Sequence, residues 1–296
     1  MRPTRSRRLS ACFTLWLLLI TTLAQAADVC NQMHTVARPI PMGLCGSSVR
    51  NNCQGKCDEG TLGALVTNNN GSYWILGASH VFAVENSGRV GDSITQPACV
   101  TGGGVVATLS QFTTSNNTVD AAIAAIVANQ VSLSGPIQNI GQISTTPLTC
   151  TVNAHVQIMG CTSCHIPGTI ASCNKGTIVD NACISGASFV NQYGVIMSSQ
   201  NGDSGALVVT QGACPRAVGL LMSGFGGVAT VNPISAVLNT FGVSLVGKAC
   251  TSLTTASENN LLSEEDLQPT QEQLEADDVA RTLGPNLLKI PGVLGI

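Results

Sequence analysis

Asn201-Gly202-Asp203-Ser204-Gly205-Ala206 is the stretch on which the reading of this chain turns. A serine stands between two glycines, behind an aspartate, and just before the apolar run Ala206-Leu207-Val208-Val209. Glycine at 202 and 205 lets the backbone turn tightly, where a Cβ would hinder it. Such a turn holds the Ser204 hydroxyl out for attack. It also aims the backbone N–H groups of Gly202 and Ser204 at one point, where an oxyanion would form. Gly, Asp and Ser are ordinary turn residues too, so a plain β-turn is the competing reading.

A serine nucleophile needs a base and a group to orient that base. The chain has four histidines: His34, His80, His155 and His165. His80 ends the strand-like stretch Tyr73-Trp74-Ile75-Leu76-Gly77-Ala78-Ser79-His80 and is followed by Val81-Phe82-Ala83. Its ring is expected at a strand exit, beside a core wall. Asp120 is the one acid in Thr118-Val119-Asp120-Ala121-Ala122-Ile123-Ala124-Ala125-Ile126-Val127. A buried acid is costly unless paired. The alternative roles are a satisfied core histidine and a capping aspartate.

The order His80, Asp120, Ser204 is that of trypsin-like serine proteases, not of subtilisins or α/β-hydrolases. Ala78-Ser79-His80, Asp120-Ala-Ala-Ile-Ala, Gly202-Asp203-Ser204-Gly205 and Ser223-Gly224-Phe225-Gly226 resemble four separate motifs of the trypsin/chymotrypsin-like family. Further stretches resemble its bacterial, secreted branch: Ala37 to Gly43, Thr61 to Val66, Gly91 to Pro97 and Asn232 to Leu238. The resemblance runs from about Ala37 to Gly247. It implies an all-β fold of two six-stranded antiparallel β-barrels, in approximately residues 27–140 and 141–250. It also implies a serine endopeptidase with His80, Asp120 and Ser204 as catalytic residues, an oxyanion hole at Gly202 and Ser204, and no cofactor. Ser223 would support Asp120. By counting back from Ser204, Ser198 falls at the floor of the specificity pocket, with Gly224 and Gly226 leaving its walls open. The competing class is a binding module that keeps the fold with weak or absent proteolysis.

Two departures from the family stand out. Val81 occupies the place of a cysteine that animal trypsins carry beside the histidine. No Ile-Val-Gly-Gly start precedes the first strand, so the amine that pairs with the aspartate before the serine has no counterpart, and Asp203 lacks an evident partner.

The ends and composition bound the setting. Residues 1–26 read as a secretory signal: Arg2, Arg5, Arg7 and Arg8, an apolar stretch Phe13 to Leu23, and a small-x-small cleavage site at Ala24-Gln25-Ala26. Export to the periplasm or medium is expected, with no membrane partner once the signal is removed. Thirteen cysteines occur, and removing Cys12 with the signal leaves twelve. An exported chain with an even cysteine count reads as a disulfide framework of undetermined connectivity. The net charge of −3, without a basic patch, disfavours nucleic acid; the family resemblance implies a protein or peptide substrate as the partner.

Short strand-like runs broken by turn residues indicate a sandwich or barrel. They include 104–109, 152–159, 206–210 and 217–222. One helix is expected near Pro233 to Phe241, started by Pro and stopped by Gly242. Residues 251–296 are an acidic tail holding half of the sixteen acids. Its end resembles the opening of a small extra element found beside bacterial family members; the expectation is a solvated acidic linker over 251–278, with the end either a fragment of that element or a strand that docks last. Cys161-Thr162-Ser163-Cys164-His165 satisfies the spacing of c-type haem attachment. The flanking strand–turn–strand pattern argues against haem, and a disulfide role also outweighs a zinc site of Cys161, Cys164, His165 and Cys173. No metal is expected.

Overall fold

The computed structural model describes residues 36–51, 59–84, 87–99, 103–114, 118–179 and 187–250. The signal-like segment and the acidic tail lie outside the described residues. The N-terminal half builds β1 (Cys45–Ser48), β2 (Gly60–Thr61), β3 (Ala64–Thr67) and β4 (Tyr73–Gly77). After the short helix α1 (Ser79–Phe82) come β5 (Ser93–Gln96), β6 (Gly104–Phe112) and β7 (Ala122–Ile126). The C-terminal half holds β8 (His155–Gly160), β9 (Cys164–Val179), β10 (Ala187–Ile196), β11 (Leu207–Thr210), β12 (Ala217–Phe225) and β13 (Val228–Pro233). Helix α2 (Ile234–Phe241) and β14 (Ser244–Leu245) follow.

Strands β8 to β13 close into a six-stranded barrel in the order β10-β13-β12-β11-β8-β9. The other strands form one eight-stranded sheet, β14-β3-β4-β7-β6-β5-β1-β2. Every ladder between named strands is antiparallel. The architecture is thus the expected one, with a difference in the first half. Its sheet is a half-barrel whose two ends, β2 and β14, are two residues long. Strand β14 reaches that sheet from the C-terminal side, pairing Ser244 with Thr67 and Leu245 with Val66.

Alternation explains how the two halves meet. Along the run after Ser204, Ala206 and Val208 point into the closed barrel with Val156, Ile158, Ile170 and Val231. Leu207 and Val209 point the other way, into the cluster that fills the N-terminal sheet. β12 repeats this: Val218 and Leu221 face inward, while Ala217 and Leu220 face the other cluster. A strand apolar on both faces is one covered on both faces. Helix α2 ends as expected, with Gly242 left-handed at φ 63° and its N–H returned to Asn239 and Leu238.

A disulfide joins Cys45 of β1 to Cys161 at the end of β8, 116 residues apart. A second joins Cys150 to Cys173, and Cys99, Cys164, Cys214 and Cys250 are disulfide-bonded as well. The sulfurs of Cys161, Cys164 and Cys173, weighed above as haem or zinc ligands, are therefore all in disulfides. Where a Cβ on Gly60 would stand, 2.6 Å away lies Val81, so the missing cysteine of the His80 segment is matched by a small neighbour. Replacing Cys45 and Cys161 together by Ser should lower stability by about 2–5 kcal/mol in denaturant unfolding, given the long loop the bond closes. A loss below about 1 kcal/mol would mean that the link constrains little.

Candidate active site

His80 sits on α1, directly after the exit of β4. Its side chain is 5% exposed and that of Asp120 is 4% exposed. Ring Nδ1 lies 2.5 Å from Asp120 Oδ2, and the His80 backbone N–H donates to Asp120 Oδ1 at 3.0 Å. With Asp120 ionised, Nδ1 carries the proton of the neutral ring and Nε2 presents the lone pair. One carboxylate thus holds both the backbone and the ring of the histidine.

Asp120 is held in turn. Its N–H donates to Asn232 Oδ1 at 2.9 Å, and Asn232 Nδ2 donates to the Leu220 carbonyl at 3.3 Å. Asn232 is fully buried in β13, so the closed barrel positions an aspartate of the other sheet. Thr113 brackets the same residue. Its hydroxyl donates to the Val119 carbonyl and accepts from the Ala121 N–H at 3.0 Å. Ser79 completes the link by donating to the Thr113 carbonyl at 2.5 Å. The expected Ser223–Asp120 contact is not among the hydrogen bonds of the described residues. β12 shifts register between Leu221 and Ser223, and such an irregularity re-aims the side chains that follow it.

The Asn201–Ala206 turn is packed against the segment that leads into His80. A Cβ on Gly205 would lie 2.6 Å from the Thr61 carbonyl and 2.9 Å from the Ala78 N. Gly205 has φ 91° and Gly202 φ 99°, so both need glycine for conformation as well. Within the turn, the N–H groups of Asp203, Gly205 and Ala206 donate to Gln200, Leu221 and Asp203 carbonyls at 3.1, 2.8 and 2.9 Å. Those of Gly202 and Ser204 have no acceptor among the described residues. The Ser204 hydroxyl donates to the Met222 carbonyl at 3.1 Å, and no hydrogen bond joins it to His80.

Asp203 is fully buried, and its partner is now visible. Oδ1 accepts from Thr162 and Ser163 N–H at 2.9 Å each, and Oδ2 from Gln200 N–H at 2.8 Å. Three backbone donors thus meet the carboxylate where an amine was missing from the sequence. At the proposed pocket, Ser198 is exposed and its carbonyl accepts from the Ser163 hydroxyl at 3.5 Å. The buried hydroxyl beside Gly224 belongs to Ser199: a Cβ on Gly224 would lie 2.1 Å from Ser199 Oγ. That oxygen has no hydrogen-bond partner among the described residues.

The sequence matches no protein-family model and no curated protein. Solved structures do match. A glutamic-acid-specific serine protease is 20% identical at a TM-score of 0.52, over 70% of this chain and 100% of its own. Thermobifida fusca protease A is 21% identical at 0.52, over 71% of this chain and 99% of its own. Cellulomonas bogoriensis chymotrypsin is 19% identical at 0.51, over 71% and 99%. The chain has the fold of the bacterial trypsin/chymotrypsin-like serine proteases. Asn232→Ala should cost about 1–3 kcal/mol in denaturant unfolding, because it leaves the buried Asp120 N–H unpaired. Unchanged stability would mean that the barrel does not hold Asp120 through this side chain.

Proposed function

We propose that this chain is an exported serine endopeptidase acting on protein or peptide substrates through a Ser204–His80–Asp120 triad. The observation that carries this reading is the buried His80–Asp120 pair together with a turn at Ser204 whose Gly202 and Ser204 N–H groups have no acceptor among the described residues. In this mechanism the Ser204 hydroxyl rotates away from the Met222 carbonyl and gives its proton to His80 Nε2 as it attacks the peptide carbonyl. Asp120 keeps Nδ1 protonated and stabilises the imidazolium. Gly202 and Ser204 donate to the oxyanion of the tetrahedral intermediate. His80 then protonates the leaving amine, and water resolves the acyl-enzyme by the same path in reverse. Losing one oxyanion donor typically costs roughly 3 kcal/mol of barrier.

The chain carries hydroxyls at Ser198 and Ser199 and glycine at 224, and no acid at these three positions of the proposed pocket. A lysine or arginine side chain buried there would lack a counter-charge, which is strongly unfavourable. Apolar side chains suit the site. Cleavage of residues 1–26 and export accord with a mature protein built on disulfides, and no helix among the described residues is long and apolar enough to cross a membrane.

A second reading has an observation of its own. The Ser204 hydroxyl is bonded to Met222, not to His80, which accords with a binding module of weak or absent activity. One experiment separates the two. A fluorophosphonate probe should label the mature protein, and Ser204→Ala should abolish labelling. Asp120→Asn should lower kcat about 10⁴-fold, as in other Ser-His-Asp enzymes. Labelling that survives Ser204→Ala removes the assignment, and a wild-type protein that takes up no probe favours the binding module. In a peptide library, cleavage should follow apolar residues; preference for Lys or Arg would overturn the pocket while leaving the triad in place.

A further inference from the structure

The Asn201–Gly202 peptide, whose N–H would donate to the oxyanion, is gripped by a turn that the proposed catalytic roles leave unexplained. Cys161-Thr162-Ser163 connects β8 to β9, with Gly160 paired to Cys164 across the hairpin. Thr162 Oγ1 donates to the Asn201 carbonyl at 2.6 Å. A trans peptide points its C=O and its N–H in opposite directions. Holding the Asn201 oxygen toward the turn therefore directs the Gly202 N–H to the other side. The same turn holds the next residue, since Thr162 and Ser163 N–H supply two of the three donors to Asp203. Gly202 fits closely beneath it: a Cβ there would stand 2.2 Å from Thr162 Oγ1.

The turn is itself anchored to the other sheet. Cys161 is bonded to Cys45, and its N–H donates to the Thr61 hydroxyl at 2.9 Å. That hydroxyl donates to the Gly202 carbonyl at 3.0 Å. Both carbonyls flanking the Gly202 residue, those of Asn201 and of Gly202 itself, are thereby tied down by threonine hydroxyls. Each tie leads to Cys161 or to its neighbour.

We propose that the Cys161–Cys164 turn is a built-in clamp that sets the oxyanion hole, with Thr162 as its positioning residue. Backbone donors and one hydroxyl do within the domain what a released amine would otherwise do. The inference rests on the serine hydrolase reading for its kinetic consequence and on geometry alone for its structural one.

The test compares Thr162→Val, which keeps the shape and removes the hydroxyl, with Thr162→Ser, which keeps the hydroxyl. Thr162→Ala replaces the valine variant where that one does not fold. Rates on a peptide amide substrate are normalised to sites titrated by fluorophosphonate, so that a loss of folded protein does not count. Thr162→Val should lower kcat at least about 10-fold with KM within about twofold, the pattern of an interaction realised in the transition state. Thr162→Ser should stay within about threefold of wild type. Crystal structures of both variants should show the Asn201–Gly202 peptide turned over in Thr162→Val and unchanged in Thr162→Ser. Wild-type kcat in Thr162→Val, an equal loss in both variants, or an unturned peptide in Thr162→Val would each overturn the clamp. If the wild-type protein takes up no fluorophosphonate, the hydrolase reading fails, and the peptide orientation still decides the clamp.

Discussion

Thr61 is the residue through which the two halves of this molecule share one site. It is fully buried at the end of β2. Its N–H donates to the Ser204 carbonyl at 2.8 Å, its hydroxyl donates to the Gly202 carbonyl, and that hydroxyl accepts from Cys161 N–H. Its own carbonyl lies where a side chain on Gly205 would have to go. A buried polar group that lost such partners would carry its full desolvation cost, so this small residue constrains the turn on every side. The glycines around it follow from the same constraint. A Cβ on Gly63 would come within 2.0 Å of the Gly205 carbonyl, and one on Gly60 within 2.8 Å of the Ser204 carbonyl. The backbones approach as closely as backbones can.

The same logic extends to Asp120. The N-terminal sheet supplies His80 and Asp120, yet Asn232 of the closed barrel receives the Asp120 N–H. Ser204 belongs to the closed barrel, yet its carbonyl is held by β2. Each half thus holds a residue of the other, Asn232 the Asp120 N–H and Thr61 the Ser204 carbonyl. A network of buried polar groups whose members are nearly all satisfied specifies one arrangement strongly, because every alternative leaves a donor or acceptor unpaired. Ser199 Oγ is an exception near the site, a buried hydroxyl with no partner among the described residues, beside Gly224.

Much of this was legible in the amino-acid sequence, and the reasons for what was not are physical. Local signals were reliable where they were strong. Gly202 and Gly205 take the positive φ that their identity allows, α2 lies between Pro233 and Gly242, and the apolar runs at 104, 206 and 217 are strands. Asp120 could be singled out because an acid in an apolar run needs a partner. The half-barrel was not visible, since two-residue strands such as β2 and β14 are too short to alternate. Cysteine pairing depends on three-dimensional approach across 116 residues and leaves no trace in spacing. Asn232 was read only as part of a motif, because a polar residue in a strand does not announce which backbone N–H it will receive. Ser223 was expected to support Asp120, and no hydrogen bond between the two is among those of the described residues. Counting along the chain reached Ser198, whereas the buried hydroxyl is one residue further on, at Ser199. Thr162 could have been suspected from its place beside Cys161, but its partner at Asn201 lies 39 residues away.

The central claim is that Ser204 and the two N–H groups beside it form one reaction site completed by His80 and Asp120. The most direct measurement is a crystal structure of the mature protein treated with a peptidyl boronic acid bearing an apolar first residue. The account predicts continuous density from Ser204 Oγ to a tetrahedral boron, with one boronate oxygen within about 3.1 Å of both the Gly202 and Ser204 nitrogens. The hydroxyl would then have left the Met222 carbonyl. An unmodified Ser204 still donating to Met222 at saturating inhibitor, or an adduct whose oxygen points away from both N–H groups, would contradict it.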